Sequence, residues 1–151
     1  MRKTCQEHLA SLNESNEALT VELESHLVAA MTVLIVSEYE KFIESSFGRR
    51  GDRCSDLHVA NYVRSQLFRR FRSPDLGKVN DILGSFGKDY RDAFWKDVEN
   101  TQEHAAWDNI MRARHAIVHR QGAMNLTFRE LRVSYDRTKV VLKRLVQTLG
   151  V

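Results

Sequence analysis

Proline and glycine are scarce in this sequence, which has one proline and seven glycines among its 151 residues. An all-β protein needs a turn roughly every 8–12 residues, and those turns draw heavily on glycine and proline. The scarcity therefore argues against β architectures and favours long helices with short connections. With 42% hydrophobic residues, the chain has enough apolar surface to form a core.

Disulfide frameworks and long apolar runs are lacking too. There are only two cysteines, Cys5 and Cys54, so the expected setting is a reducing compartment, the cytoplasm. The longest apolar stretch, Leu27–Val36, has ten residues and includes Thr32, which is too short to span a bilayer. No apolar segment follows the basic start MRKTCQEHLA, which predicts no signal peptide. We expect no membrane contact.

A strong charge of one sign is also missing. The chain has 23 Lys and Arg against 20 Asp and Glu, a net charge of +3 that does not require a polyanionic partner. Arginines far outnumber lysines, and the planar guanidinium suits phosphates and carboxylates. The length, and the absence of a linker rich in proline, glycine and serine, predict a single domain over residues 1–151.

What is present is helical periodicity along the whole chain. The first helix is predicted over about Ser15–Phe47, with the N-terminal ~14 residues frayed. Ser73 and Pro74 predict the start of an inner helix, and Thr127 with Glu130 predicts a capping box for the last helix. The expected fold is all-α, a bundle of four to six helices with long antiparallel core helices.

Two opposite charges fall on apolar stripes. At 100° per residue, Glu38 lies in the middle of the stripe of the first helix, and Arg114 lies near the middle of the stripe of the penultimate helix. Such charges are costly in a core unless they are paired, so we predict that Glu38 pairs with Arg114 and orients its guanidinium. The alternatives are a structural ion pair without chemistry and a stripe that extends into solvent. The stripes consist of Leu27, Met31, Leu34, Ile35 and Phe42 in the first helix and Trp107, Ile110, Met111, Ile117 and Val118 in the penultimate helix.

Arginine and histidine are spaced for phosphate chemistry in the segment MRARHAIVHRQG, residues 111–122. Arg114 and His119 form an R-x4-H pattern, and His115 directly follows the arginine. Five positions on an ideal helix mean about 140° around the axis and about 7.5 Å along it. The two side chains can converge if the helix loosens near its end, and Gly122 indicates that the end is close.

These residues resemble a known family. The phrase RHAIVHR, followed by a glycine and the capped segment NLTFREL, is similar to the RiboL-PSP-type branch of the HEPN superfamily, whose mark is R-x4-6-H near the end of a late helix. The long first helix with its inward glutamate and the stretch ILGSFGKDYRDAFW are similar to that branch too, so the resemblance covers roughly Leu27–Leu149. Many HEPN domains have asparagine directly after the arginine, where this chain has His115.

The resemblance implies a homodimer with the motif at its interface. It implies a metal-independent endoribonuclease without a cofactor, often a toxin of a toxin–antitoxin pair or an anti-phage defence effector, acting on single-stranded RNA or a tRNA loop. Arg114 would clamp the phosphate, and His119 would transfer a proton. His115 would position the phosphate or form a hydrogen bond across the dimer, while Glu38 would orient Arg114. A nucleotidyltransferase antitoxin or an ATPase is the implied protein partner.

The chemistry itself follows from the residue types. RNA carries its own nucleophile, the 2′-hydroxyl, and cleavage needs a base, an acid and positive charge for the phosphorane. Imidazole can serve as base or acid near neutrality, and arginine can brace two phosphate oxygens. One His119 per chain supplies one of these groups, and a symmetric dimer supplies two. The expected products are a 2′,3′-cyclic phosphate and a 5′-hydroxyl.

Other basic residues and the histidine spacing allow further interpretations. His115 and His119 at i, i+4 could face one metal ion. A third ligand would have to come from Glu103 or another helix, because His104 lies too far along the axis, and we expect no metal. The arginines of the second helix and its joint could instead form a solvated face balanced by Asp52, Asp56 and Asp75. The predicted RNA-binding residues are Arg112, Arg120, Arg69, Arg70 and Arg72.

Three functional hypotheses remain at this point. The first is the endoribonuclease, and the second is a non-cleaving HEPN-like module that binds RNA or a nucleotide or docks a partner. The third is a plain helical interaction domain in which the motif is accidental. Each of them also allows the chain to be part of a larger effector.

Overall fold

The computed structural model describes residues 2–70, 74–119 and 126–151, and for residues 2–18 and 68–70 it describes the backbone alone. Within these ranges the chain forms six α-helices and no strand, so the predicted all-α bundle of four to six helices is confirmed. The helices are α1 (Arg2–Gly51), α2 (Leu57–Arg70), α3 (Leu76–Phe86), α4 (Lys88–Val98), α5 (Gln102–His119) and α6 (Phe128–Leu149).

The first helix, α1, is longer than predicted. It has 50 residues, which corresponds to about 75 Å. The backbone is helical from Arg2, and the fraying of the N-terminal ~14 residues stays a prediction. Every side chain from residue 19 to residue 27 is exposed, and the first buried one is Val28. The C-terminal half of α1 therefore belongs to the core, and the segment before Val28 contributes no buried side chain over residues 19–27.

The buried face of α1 matches the predicted stripe only in part, because Met31 and Ile35 pack half-buried against the core and the other three stripe residues are exposed. Leu27 is 53% exposed and Leu34 is 65% exposed. Residues 27–36 are apolar on nearly all sides, so their periodicity alone does not distinguish one face from another. The larger apolar residues further along α1 decide the face that packs. The buried apolar positions are Val28, Val36, Tyr39, Ile43 and Phe47, each at most 2% exposed.

The apolar character of α1 also meets a membrane criterion. A window of 18 residues within Leu19–Gly51 is long and apolar enough to cross a membrane by length and composition, and 17% of it is buried. The run Leu27–Val36 is too short for this on its own, but the helix around it lengthens the apolar window. Core helices of soluble proteins pass the same test. Such core helices are mostly buried, whereas 17% of this window is buried, and the helix further along supplies Tyr39 and Ile43 to the core.

An aromatic stack connects α1, α5 and α6 in the core. The ring of Tyr39 lies 4.8 Å from that of Trp107 and 6.4 Å from that of Tyr135, measured between centroids. The Tyr39 hydroxyl forms a hydrogen bond with the Thr138 hydroxyl, and burial raises the pKa of Tyr39 to about 12. The Trp107 indole N–H donates to the carbonyl oxygen of Pro74 at 3.0 Å. The stack therefore fixes α5 against its two long neighbours.

The last helix begins at the predicted capping box. The Thr127 hydroxyl accepts from the Glu130 backbone N–H at 3.2 Å, and the Glu130 carboxylate accepts from the Thr127 backbone N–H at 2.9 Å. That backbone bond, together with one from the Thr127 hydroxyl, lowers the pKa of Glu130. The helix ends at Gly150, whose φ of 65° is left-handed and favours glycine.

The start of α3 differs from the prediction. Asp75 caps the helix, because its side-chain oxygen accepts from the Lys78 backbone N–H at 2.7 Å. Pro74 precedes the cap and is not the first helical residue, and Ser73 lies outside the described residues. An aspartate oxygen three residues before a backbone N–H satisfies that donor as well as a serine hydroxyl does.

Candidate active site

The helix α5 has an inner face and an outer face. Ala106, Trp107 and Ile110 form the inner face and are at most 3% exposed. His115 and His119 lie on the outer face of its last two turns, and both are exposed. The inner residues anchor the helix in the core, which places the two imidazoles in solvent at its C-terminal end.

The two imidazoles form a contact pair. Their ring centroids are 4.3 Å apart and the ring planes are tilted by 47°. The contact follows from the i, i+4 spacing, which stacks two side chains on one side of a helix. An exposed imidazole pair can bind a phosphate and exchange protons with a ligand at the protein surface.

The backbone of α5 keeps Arg114 and His119 at the spacing of a regular helix. Residue 114 is half-buried, and α5 remains helical through His119. The predicted loosening of the helix does not occur up to that residue, so the offset of about 140° and about 7.5 Å persists. Gly122, which indicated the helix end, lies outside the described residues. Arg114 and His119 thus belong to different sides of α5.

The predicted pairing of Glu38 with Arg114 is wrong for this chain. The Glu38 carboxylate accepts from the Lys41 ammonium at 2.8 Å, and the Glu38 side chain is 70% exposed. The cause is the phase of α1: the face that carries Glu38 with Leu27 and Leu34 points to solvent. Glu38 therefore does not orient Arg114 within the single chain.

Of the predicted RNA-binding arginines, only Arg112 has a described side chain. It is exposed on α5, and its guanidinium donates to the Asn109 side-chain oxygen at 2.6 Å. A second bond runs from Arg112 to the carbonyl oxygen of Asp108 at 3.4 Å. The side chains of the others, namely Arg69, Arg70, Arg72 and Arg120, lie outside the described residues.

Two further arginines, both on α6, lie near Arg112 and were not among the predicted RNA-binding residues. Arg129 and Arg137 line a groove of about 650 Å³ between α5 and α6, opposite Arg112. With Val133 they form an i, i+4, i+8 row, which is a signal that the sequence contains. The row indicates one wall of a groove only when α5 is known to lie beside it.

A metal centre is not formed by the described part of the chain. Among residues 19–67, 74–119 and 126–151, no group of three or more His, Cys, Asp or Glu side chains could hold a metal ion. The nearest histidine along α5, His104, packs edge-on against Trp95 with ring centroids 5.5 Å apart. Its imidazole is therefore engaged in a different part of the bundle from His115 and His119.

The helical bundle with these features is of the HEPN-like class. A family model described as RiboL-PSP-HEPN matches residues 2–150 of the chain. The chain belongs to this family, a branch of the HEPN superfamily, as its sequence pattern predicted. Domains of this superfamily are commonly ribonucleases or RNA-binding modules. No curated protein and no solved structure matches the chain.

Proposed function

We propose that this chain is a metal-independent endoribonuclease that cleaves single-stranded RNA, including exposed tRNA loops. The observation that carries the proposal is the exposed imidazole pair of His115 and His119 at the end of α5, in a chain of the HEPN superfamily. Imidazole is the side chain best suited to accept and donate protons near neutral pH.

The proposed reaction is a transesterification within the RNA. A neutral imidazole accepts the proton of the 2′-hydroxyl, and the 2′-oxygen forms a bond to phosphorus. The bond from phosphorus to the 5′-oxygen breaks, and an imidazolium donates a proton to that oxygen. The products are a 2′,3′-cyclic phosphate and a 5′-hydroxyl, and each proton is accounted for by an imidazole.

A second copy of the chain supplies the other catalytic imidazole. The entering and leaving oxygens lie on opposite sides of the phosphorus, so the base and the acid must flank the phosphate. His115 and His119 of one chain contact each other at 4.3 Å, which leaves no room for a phosphate between them. A two-fold axis near α5 would place two His119 side chains across one phosphate, with His115 binding its oxygens.

Arg114 clamps the phosphate in this proposal. Its place on a different side of α5 from His119 is compatible with a role across the dimer, where the guanidinium of one chain serves the His119 of the other. A guanidinium in such a position stabilises the charge that builds up on the phosphorane oxygens.

Exposed apolar side chains support a homodimer. Leu27, Leu34 and Phe42 on α1 are 53%, 65% and 39% exposed, and Val118 on α5 is 51% exposed. Large apolar side chains grouped on a surface are typical of interaction sites. The α1 group coincides with the stripe that the sequence predicted to be buried, and burial in a dimer would satisfy the same pattern.

The biological role that fits this activity is a toxin or an anti-phage effector in the cytoplasm. Uncontrolled cleavage of cellular RNA is lethal, so such an enzyme requires a partner that restrains or triggers it. A nucleotidyltransferase antitoxin or an ATPase would be suitable partners.

A second candidate function is an RNA-binding HEPN-like module without cleavage. It is favoured by one observation: the basic groove between α5 and α6 can hold a phosphate backbone without any proton transfer. The departure at His115, where many HEPN domains have asparagine, is also compatible with this candidate.

The first experiment tests cleavage. Purified protein is incubated with total RNA in EDTA, beside His119→Ala and Arg114→Ala, with His58→Ala on α2 and Arg132→Ala on α6 as exposed controls. We expect EDTA-resistant fragments with 2′,3′-cyclic ends from the parent and both controls, and none from the two site variants. Cleavage that EDTA abolishes, or that survives in His119→Ala, would contradict the proposal, and binding without cleavage would favour the second candidate.

A mixing experiment tests the shared site. Parent protein is equilibrated with increasing amounts of His119→Ala at constant total concentration. If two His119 side chains form one site, activity follows the square of the parent fraction, because only parent homodimers are active. A linear dependence would mean that each chain cleaves alone.

A further inference from the structure

The groove between α5 and α6 is a cationic surface that the reaction itself does not use. It has a volume of about 650 Å³, with Arg112 on the α5 side and Arg129 and Arg137 on the α6 side. Both α6 arginines are exposed. Three guanidinium groups thus surround one opening.

The positive charge of the groove exceeds its negative charge, because three arginines and one carboxylate, that of Glu130, line it. Within this part of the chain, no carboxylate lies within 4.0 Å of Arg112, Arg129 or Arg137, since all the ion pairs found there involve other side chains. Arg112 is held instead by two neutral oxygens, those of the Asn109 side chain and the Asp108 backbone.

The acidic residue that lines the groove is engaged elsewhere. Glu130 accepts hydrogen bonds from the backbone N–H and the hydroxyl of Thr127, both at 2.9 Å. The capping box therefore draws this carboxylate to the start of α6. Exposed arginines without a carboxylate partner are available to bind a phosphate.

The groove leads to the proposed catalytic imidazole. Arg112 and His119 are seven positions apart, which places them on nearly the same side of α5, two turns or about 10 Å apart. Ala116, one turn before His119, forms part of the groove wall. A chain that follows the groove past Arg112 and Ala116 therefore arrives at His119.

The remaining lining suits the backbone of a single nucleic-acid strand. Ala113, Ala116 and Val133 offer small apolar surfaces for ribose and base, and Ser134 offers a hydroxyl. The flexible backbone of an unpaired strand can follow a groove between two helices more easily than a stiff duplex can. Cations beside an apolar floor are the usual arrangement for binding single strands.

We propose that the α5–α6 groove is a phosphate-backbone site that holds single-stranded RNA beside His119. Arg129 and Arg137 are its positioning residues, and they bind phosphates that do not react. The proposal rests on the proposed function for the class of substrate, and it adds where the RNA lies and which residues of α6 bind it.

The test measures binding without turnover. The affinity of a fluorescent uridylate dodecamer is measured on a His119→Ala background, with and without Arg129→Gln plus Arg137→Gln, between 50 and 200 mM salt. Each lost phosphate contact lowers the salt slope of a single-strand complex by about 0.7, so we expect the slope to fall by about 1.4. We also expect Kd to rise about 10-fold.

The matched control removes the same charge from α6 outside the groove. Arg132→Gln plus Lys143→Gln, both exposed, should change Kd less than about 2-fold. A second pair of variants adds charge: Ala116→Glu in the groove wall should weaken binding, and Ala93→Glu on the exposed side of α4 should not. Equal losses in groove and control variants would mean diffuse attraction and would overturn the proposal, as would no loss in either.

The experiments distinguish failure of the groove proposal from failure of the endoribonuclease proposal. If the parent cleaves nothing but the groove variants lose dodecamer binding, the groove stands and the endoribonuclease fails. If the parent cleaves and the groove variants keep its KM and salt slope, the groove fails and the endoribonuclease stands. ATP displacing the dodecamer at equal or lower concentration, in a manner dependent on Arg129, would identify a free-nucleotide site and overturn the assignment to RNA.

Discussion

The inner and outer faces of α5 differ in nearly every property, although they share one helix. The inner face is apolar and at most 3% exposed, and its Trp107 ring stacks on Tyr39. The outer face is polar and carries the contact pair of His115 and His119 in solvent. We therefore expect that residues of the two faces can be changed separately, because each set contacts different neighbours.

The largest expected effect lies on the inner face. Trp107→Ala should lower the free energy of unfolding by about 3–5 kcal/mol, because it leaves a cavity and removes the hydrogen bond to Pro74. Urea denaturation followed by circular dichroism measures the change. Trp95→Ala, at a half-buried position on α4, should cost less. A loss of under about 1 kcal/mol for Trp107→Ala would contradict the packing described for α5.

Substitution on the outer face should lower activity and leave stability nearly unchanged. His119→Ala should lower the cleavage rate about 10²–10⁴-fold, the usual contribution of a general acid or base. The free energy of unfolding should change by less than about 0.5 kcal/mol, because the imidazole is exposed. Parallel cleavage assays and urea titrations on one preparation check both. Loss of stability together with activity would mean that the two faces are not independent.

The inner face should also be sensitive to alkali. Burial raises the pKa of Tyr39 from 10.0 to about 12, so the folded state favours the neutral phenol. This contributes about 2–3 kcal/mol of stability that is fully present below pH 10 and is lost as the pH rises towards 12. Tyr39→Phe should cost about 1 kcal/mol at pH 7, through the lost bond to Thr138.

The alkaline test compares two phenylalanine variants by urea denaturation at pH 7, 9 and 10.5. The stability deficit of Tyr39→Phe should shrink or reverse with increasing pH, because phenylalanine has no proton to lose. Tyr62→Phe, at a position 65% exposed on α2, should follow the parent at every pH. A deficit for Tyr39→Phe that stays constant up to pH 10.5 would refute the role of the buried phenol.

The smallest expected effect concerns the exposed stripe of α1. Leu34→Glu should change the stability of the single chain by less than about 0.5 kcal/mol, because Leu34 is 65% exposed. It should weaken the proposed homodimer about 10-fold or more, since it places a charge in an apolar contact. Sedimentation velocity measures the dimer, and Leu57→Glu, at a position 70% exposed on α2, is the matched control. Equal effects of the two variants would remove α1 from the interface.

Local signals in the sequence were reliable where the interaction itself is local. The capping box of Thr127 and Glu130 joins residues three positions apart, and it forms as predicted. The histidine contact at i, i+4 is local in the same sense. The pairing of Glu38 with Arg114 was not local, because it required the correct phase of α1, and the apolar run at residues 27–36 left that phase undetermined.

By itself, the sequence determined that the chain is all-helical, that it belongs to the HEPN superfamily, and that two histidines share one side of a late helix. The tertiary structure decided which side of α1 is buried, that Glu38 points to solvent, and that Arg112 faces Arg129 and Arg137 across a groove. The physical reason is how far apart in the sequence the interacting residues lie. Helices and caps depend on neighbours within about four positions, whereas burial depends on contacts such as that of Tyr39 with Thr138, 99 residues away.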